Sequence, residues 1–208
     1  MSAYRTKFYG KYKFSDNITP SLAKYIKNFS KTSHIERDEN KIKKTFSSWK
    51  NFSYNNNLGY NGEFYVNPAA TEDGPKHLLH VGKWCHWTTI KENNSYYLVW
   101  DGNTHFFNYE TWLKYLIEKF FFPNHIELNG VMLQVGMNPS DANYMVLFQN
   151  VLYKYDARDI RDVEELYKDF RNKEIIINSL KETFINPEIV RDMWCSIQIY
   201  NNKKAEDN

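Results

Sequence analysis

The chain reads as an α+β protein: an antiparallel sheet with two principal helices, then a C-terminal helical extension. Three observations predict this. Short segments that alternate apolar and polar residues recur through residues 4–155, separated by tight-turn sequences. Two stretches within that span switch to the 3.6-residue apolar spacing of a helix. From Asp156 onward the spacing is helical throughout. Strand, helix, hairpins and one inserted helix, in that order, suit an antiparallel sheet better than the regular alternation of a parallel one.

Tyr4 to Phe14 alternates Phe8, Tyr12 and Phe14 with Lys7, Tyr9, Lys11 and Lys13, a half-buried strand in which Gly10 marks a bulge. Thr19-Pro20 follows, a helix cap with proline at the first helical position. Leu22, Tyr25, Ile26 and Phe29 then fall at i, i+3, i+4 and i+7 and form one buried helical face. His34 to Asp38 reads as a short strand, Asn40 to Trp49 as a short basic helix, and Asn51 to Gly62 as a loop. Glu63 to Val66 is a brief strand, and Asn67 to Gly74 an irregular connection.

Trp84–Lys91 and Tyr96–Asp101 form a hairpin around Glu92-Asn93-Asn94-Ser95. Asn108 is placed to cap a helix with Glu110 in its first turn, an apolar stripe of Tyr109, Trp112, Leu113, Leu116, Ile117 and Phe120, and Pro123 at its end. His125–Leu128 and Val131–Val135 flank Asn129-Gly130, the strongest short hairpin signal in the chain. Tyr144–Phe148 and Val151–Tyr155 flank Gln149-Asn150, a second tight turn. In the extension, Ile160, Val163, Tyr167 and Phe170 share a face, and Ile176, Leu180 and Phe184 another. Asn186-Pro187 opens a third helix carrying Val190, Met193, Trp194 and Ile197. The expected organisation is an α+β domain over 1–155, a helical extension over 156–200 and a disordered tail over 201–208.

At 208 residues, with 42% hydrophobic and 17% aromatic content, the chain can fill a core without staples. No apolar run is long enough to span a membrane, and the first residues lack a signal-peptide core, so a cytoplasmic location is expected. Cys85 and Cys195 are read as reduced, buried thiols. Net charge is +2, yet residues 1–60 carry 12 Lys and Arg against 4 Asp and Glu. That asymmetry suits an acidic partner.

Phosphate-loop, His-Glu-x-x-His, Cys-x-x-Cys and Gly-x-Ser-x-Gly signatures are absent from the sequence. A metal centre would need three of His77, His80, His86 and His105 to meet Asp101 or Glu63, and histidines so spaced in a loop seldom do; no metal and no cofactor is expected. His86 and Asp101 sit on adjacent strands of the expected hairpin and are the acid–base candidates, although Asp101-Gly102 is also a turn device. Lys7, Lys11 and Lys13 share a strand face with Tyr9, and Arg37, Lys41, Lys43 and Lys44 cluster ahead of Phe46 and Trp49. Cations interleaved with aromatics suit single-stranded nucleic acid. Trp84 and Trp87, three apart on a strand, point to opposite faces, so one of them must meet the helical tail or a partner.

Several of these segments resemble a family of small bacterial and phage proteins that carries no assigned activity. They are Phe-Tyr-Gly-Lys-Tyr at 8–12, Leu-Ala-x-Tyr-Ile from 22, Gly-x-Trp-Cys-x-Trp from 82 and Trp-Asp-Gly at 100–102. Asn-Tyr-x-x-Trp-Leu-x-Tyr-Leu-Ile at 108–117 and Leu-Asn-Gly at 128–130 complete the set. The resemblance spans roughly residues 4–155. The chain departs from it at Thr104–Phe107 and at Leu133, and the helical tail is an addition. The resemblance implies a phage or mobile-element protein and carries over no functional residue.

The expected function is therefore that of a non-enzymatic binding protein acting on a host protein or nucleoprotein complex, such as a defence complex, or on single-stranded nucleic acid. An enzyme acting on a nucleotide or nucleic acid through His86 and Asp101 is the alternative. A structural homo-oligomer joined through the helical tail is the third reading.

Overall fold

The computed structural model describes residues 5–31, 84–106, 108–138 and 141–185. In chain order they form β1 (Thr6–Phe14), α1 (Pro20–Ser30), β2 (Trp87–Glu92), β3 (Ser95–Trp100), α2 (Tyr109–Leu116), β4 (Leu128–Gly136), β5 (Ala142–Phe148), β6 (Val151–Asp156), α3 (Ile160–Phe170) and α4 (Glu174–Ile185). The strands make one antiparallel sheet in the order β2-β3-β1-β4-β5-β6. The α+β class and the helical extension are as the sequence predicts.

Strand alternation divides the sheet into two apolar faces, each closed by a different pair of helices. Phe8, Tyr12 and Phe14 of β1 join Leu98, Leu128, Met132, Met145 and Leu147 on the first face. Leu22, Tyr25, Ile26 and Phe29 of α1 and Trp112, Leu113 and Leu116 of α2 close over them. The α1 stripe is the one its spacing predicts, and Thr19 caps it by accepting the Leu22 N–H at 3.1 Å. On the second face Val131, Leu133, Tyr144 and Val146 pack beneath Leu166, Phe170, Ile176 and Leu180 of α3 and α4. The α3 face differs from the expected one. Leu166 is fully buried and Tyr167 is 41% exposed, because the helix meets the sheet along Val163, Leu166 and Phe170.

Three local expectations are corrected. Asn129-Gly130 is not a turn: both residues lie inside the nine-residue strand β4, where Gly130 pairs with Tyr12 on one side and Leu147 on the other. Gly130 has φ +147°, and a Cβ there would stand 2.7 Å from the Lys11 carbonyl oxygen. The glycine therefore serves close approach of neighbouring backbones rather than reversal. Asn108 does not cap α2 through its side chain; it adopts φ +55°, whereas capping needs extended backbone. Finally, α2 runs into a π turn at Ile117–Phe121 and a 3-10 turn over Phe122–Asn124 that takes in Pro123, and the left-handed His125 ends it. The wider turn lets the consecutive Phe120 and Phe121 both reach the core.

The elements expected at 34–38, 40–49, 51–62, 63–66 and 67–74, the helix from 187 and the tail over 201–208 lie outside the described residues. The side chains of Ile160 and Phe184 lie outside them too.

Candidate functional site

The aromatic block resolves at the start of β2. Trp87 is fully buried and donates its indole N–H to the Tyr109 carbonyl at 2.8 Å. Phe8, Trp87, Phe106 and Tyr109 surround one another edge to face, with the Phe8 ring 5.1 Å from Trp87 and 4.9 Å from Tyr109. Trp84, three residues earlier, is 44% exposed. The strand begins at Trp87, so the pair is separated by the end of the ladder rather than by alternation within it. Helices α3 and α4 pack over β1, β4 and β6 and leave Trp84 uncovered.

Between the two indoles sits His86. Its backbone carbonyl accepts the Asp101 N–H at 3.0 Å, so the open end of the β2–β3 hairpin holds the two residues opposite each other. Their side chains meet as well, with His86 Nδ1 2.8 Å from Asp101 Oδ2. A carboxylate only accepts, so Nδ1 carries the proton and the lone pair of the neutral ring lies on Nε2. Nε2 has no hydrogen-bond partner among the described residues.

Asp101 is itself held by its turn: Oδ1 accepts the Asn103 N–H at 2.9 Å, and Gly102 takes φ +92°. Trp100 clamps the same turn by donating its indole N–H to the Asn103 carbonyl. The Phe106 ring meets the His86 ring edge-on at 5.0 Å. Turn device and histidine partner are thus both roles of one carboxylate. Asn103 and Phe106 were not singled out from the sequence, although Asp followed two residues later by a free N–H is a recognisable side-chain turn.

Cys85 is a free, buried thiol that burial pushes well above its ordinary value of 9.0. Burial therefore disfavours its thiolate form. Among the described residues no group of three or more His, Cys, Asp or Glu side chains is placed to hold a metal ion. His77, His80 and Glu63 lie outside them, as do Arg37, Lys41, Lys43, Lys44 and Cys195.

The basic face of β1 has a mixed character. Lys11 lies 2.6 Å from Glu92 and 4.0 Å from Glu182, and its ammonium stands 4.5 Å from the Tyr97 ring centre. The Glu92 hydrogen bond raises its pKa. Lys11 and Lys13 line a cavity of about 390 Å³ beside α4 that also takes in Glu174 and Glu182. A neighbouring cavity of about 370 Å³ includes Tyr9, Gly10 and Thr183. Cations and carboxylates therefore share this groove, and Lys7 and Tyr9 make contacts of their own.

No helix among the described residues is long and apolar enough to cross a membrane. Comparison with models of known families, with curated proteins and with solved structures finds no match.

Proposed function

We propose that the chain is a non-enzymatic binding protein of phage or mobile-element type that acts in the host cytoplasm on a host protein or nucleoprotein complex. The observation that carries this reading is Trp84. It is a large indole, 44% exposed, three residues before the fully buried Trp87. Tryptophan in such a position is the side chain that most often anchors a partner. The chain that follows it is held in place, because His86 bonds to Asp101 and Trp87 to the Tyr109 carbonyl. The phage association rests on the sequence resemblance. Single-stranded nucleic acid is a weaker occupant of the β1 face, because Lys11 is already engaged by carboxylates.

The test is quantitative affinity capture of host proteins and nucleoprotein by the full chain, with and without nuclease, beside a Trp84→Ala variant. The expected result is a partner retained specifically by the wild type and weakened about tenfold or more by the variant, with an unchanged melting temperature. A protein that retains no host macromolecule and instead turns over a nucleotide overturns the reading.

One observation favours a second reading, an enzyme acting on a nucleotide or nucleic acid. A buried histidine oriented by a carboxylate, with its other nitrogen unpartnered among the described residues, is the arrangement of a general base. Nucleotide turnover that survives in a His86→Ala, Asp101→Ala double variant removes it.

A further inference from the structure

Among the described residues the sheet ends at β6, and the hydrogen-bond pattern shows which backbone groups that edge presents. The Ala157 N–H donates to the Ala142 carbonyl at 2.9 Å. Along the same antiparallel ladder, Tyr155 with Tyr144, Tyr153 with Val146 and Val151 with Phe148 are then the bonded pairs. The two-residue turn at Gln149-Asn150, with φ +51° and +66°, closes on such a bonded pair. Leu152, Lys154 and Asp156 therefore turn their N–H and C=O groups away from the sheet. Asp156 directs its N–H to the Asp162 carboxylate at 2.9 Å. The N–H and C=O groups of Leu152 and Lys154 have no partner among the described residues.

An open edge of this kind invites another strand unless it is blunted. β6 is regular over all six residues, without bulge or proline. Val151 is 51% exposed and Tyr153 39%. The central lysine, Lys154, is drawn onto Glu110 of α2 at 2.7 Å.

We propose that β6 pairs antiparallel with β6 of a second copy of this chain about a two-fold axis through Tyr153, joining two sheets edge to edge. The four unpaired groups are self-complementary in that register alone: Leu152 bonds with Lys154 of the other copy and Lys154 with its Leu152. Tyr153 then stands directly opposite its own equivalent at a non-bonded position, where side chains come closest. Beside Leu152 lies a groove of about 610 Å³ with Leu113 and Ile117 in its wall. Its two carboxylates already face lysines of the same chain, Glu110 at 2.7 Å from Lys154 and Glu118 at 3.7 Å from Lys114, so the rim is charge-balanced and does not repel a second copy. A second copy matches the edge in strand direction and register. This surface is separate from Trp84, so its fate does not decide the proposed function.

The experiment takes the full chain across a wide concentration range by sedimentation velocity, together with four variants. The wild type is expected to associate to twice its 25.0 kDa mass. Lys154→Pro removes an edge N–H without touching the β5–β6 ladder, and Tyr153→Lys sets like charges face to face. Each is expected to weaken association about tenfold or more while melting cooperatively. Tyr153→Cys is expected to cross-link two chains under mild oxidation, since opposite non-bonded positions lie within disulfide reach. Val151→Cys is expected not to exceed the wild type's own cysteine background, because in this register its equivalents are about 13 Å apart. A monomer at every concentration overturns the proposal. So does a dimer that neither edge variant weakens, or cross-linking at 151 in place of 153.

Discussion

Two hairpins occupy the two ends of the sheet, and they are built from the same local chemistry. β2–β3 turns at Asn93-Asn94 and β5–β6 at Gln149-Asn150, in each case through two residues with positive φ. They are anchored at opposite ends. The β5–β6 turn is tied to the core: Asn150 accepts the Leu128 N–H at 2.8 Å and donates to the Ile126 carbonyl, while the Gln149 N–H bonds to the Asn129 side chain. In its strand β6 the outward N–H and C=O groups of Leu152 and Lys154 are left without a partner among the described residues. In β2–β3 the strands are clamped, through Trp87 to Tyr109, Thr89 to Ala23 and His86 to Asp101, and the turn projects. The turn residues decide that a hairpin forms. Which end of it is fixed depends on the elements that happen to lie against it.

The largest effect that tests this contrast is expected at Trp87. Trp87→Ala should lower unfolding free energy by about 3–5 kcal/mol in chemical denaturation, whereas Tyr153→Ala at the other end should stay within about 1 kcal/mol. Equal losses would erase the asymmetry. Asp101→Ala comes next. It strands the buried His86 ring nitrogen and releases the turn at Asn103, for an expected cost of about 2–3 kcal/mol. The turns themselves should separate by about 1 kcal/mol, because Asn150→Ala loses two hydrogen bonds to β4 and its approach that Asn94→Ala does not lose.

Alkaline titration sharpens the comparison in another way. Burial raises the Cys85 thiol above 9.0 and the Tyr12, Tyr144 and Tyr155 phenols above 10.0. A raised folded-state pKa leaves its stabilisation intact below the ordinary value and removes it as pH climbs toward the folded one. Melting temperature should therefore hold to about pH 9 and then fall, each group contributing up to about 1.4 kcal/mol per pH unit. In Cys85→Ala the decline should begin about one unit later, and an unchanged onset would count against the thiol as its source. The smallest effect is expected at Lys154→Met. That partly exposed ion pair with Glu110 should contribute below about 1 kcal/mol and fade with added salt.

Much of this architecture was legible because it is encoded over a few residues. Thr19-Pro20 and the stripe at Leu22, Tyr25, Ile26 and Phe29 specify α1 without reference to the remainder of the chain. Alternation specifies β1, and positive-φ turn formers specify both end hairpins. Opposition of His86 and Asp101 follows from hairpin register, which is why the pair could be named in advance. Asn129-Gly130 shows where this reading stops. The dipeptide is equally suited to a turn and to a strand whose neighbours press too close for a Cβ, and the distinction is made by Lys11, Tyr12 and Ser179, all distant in sequence.

By itself, then, the sequence determined the class of fold, the identity of most strands and helices, and the amphipathic faces that had to be covered, since propensity and periodicity act over one or two turns of chain. Tertiary structure alone decided that Trp84 stands exposed while Trp87 is buried. It also decided that Leu166 rather than Tyr167 faces the sheet, and that β6 rather than β1 is an edge. Those outcomes depend on which distant surfaces meet, and packing between distant segments leaves no periodic mark on either of them.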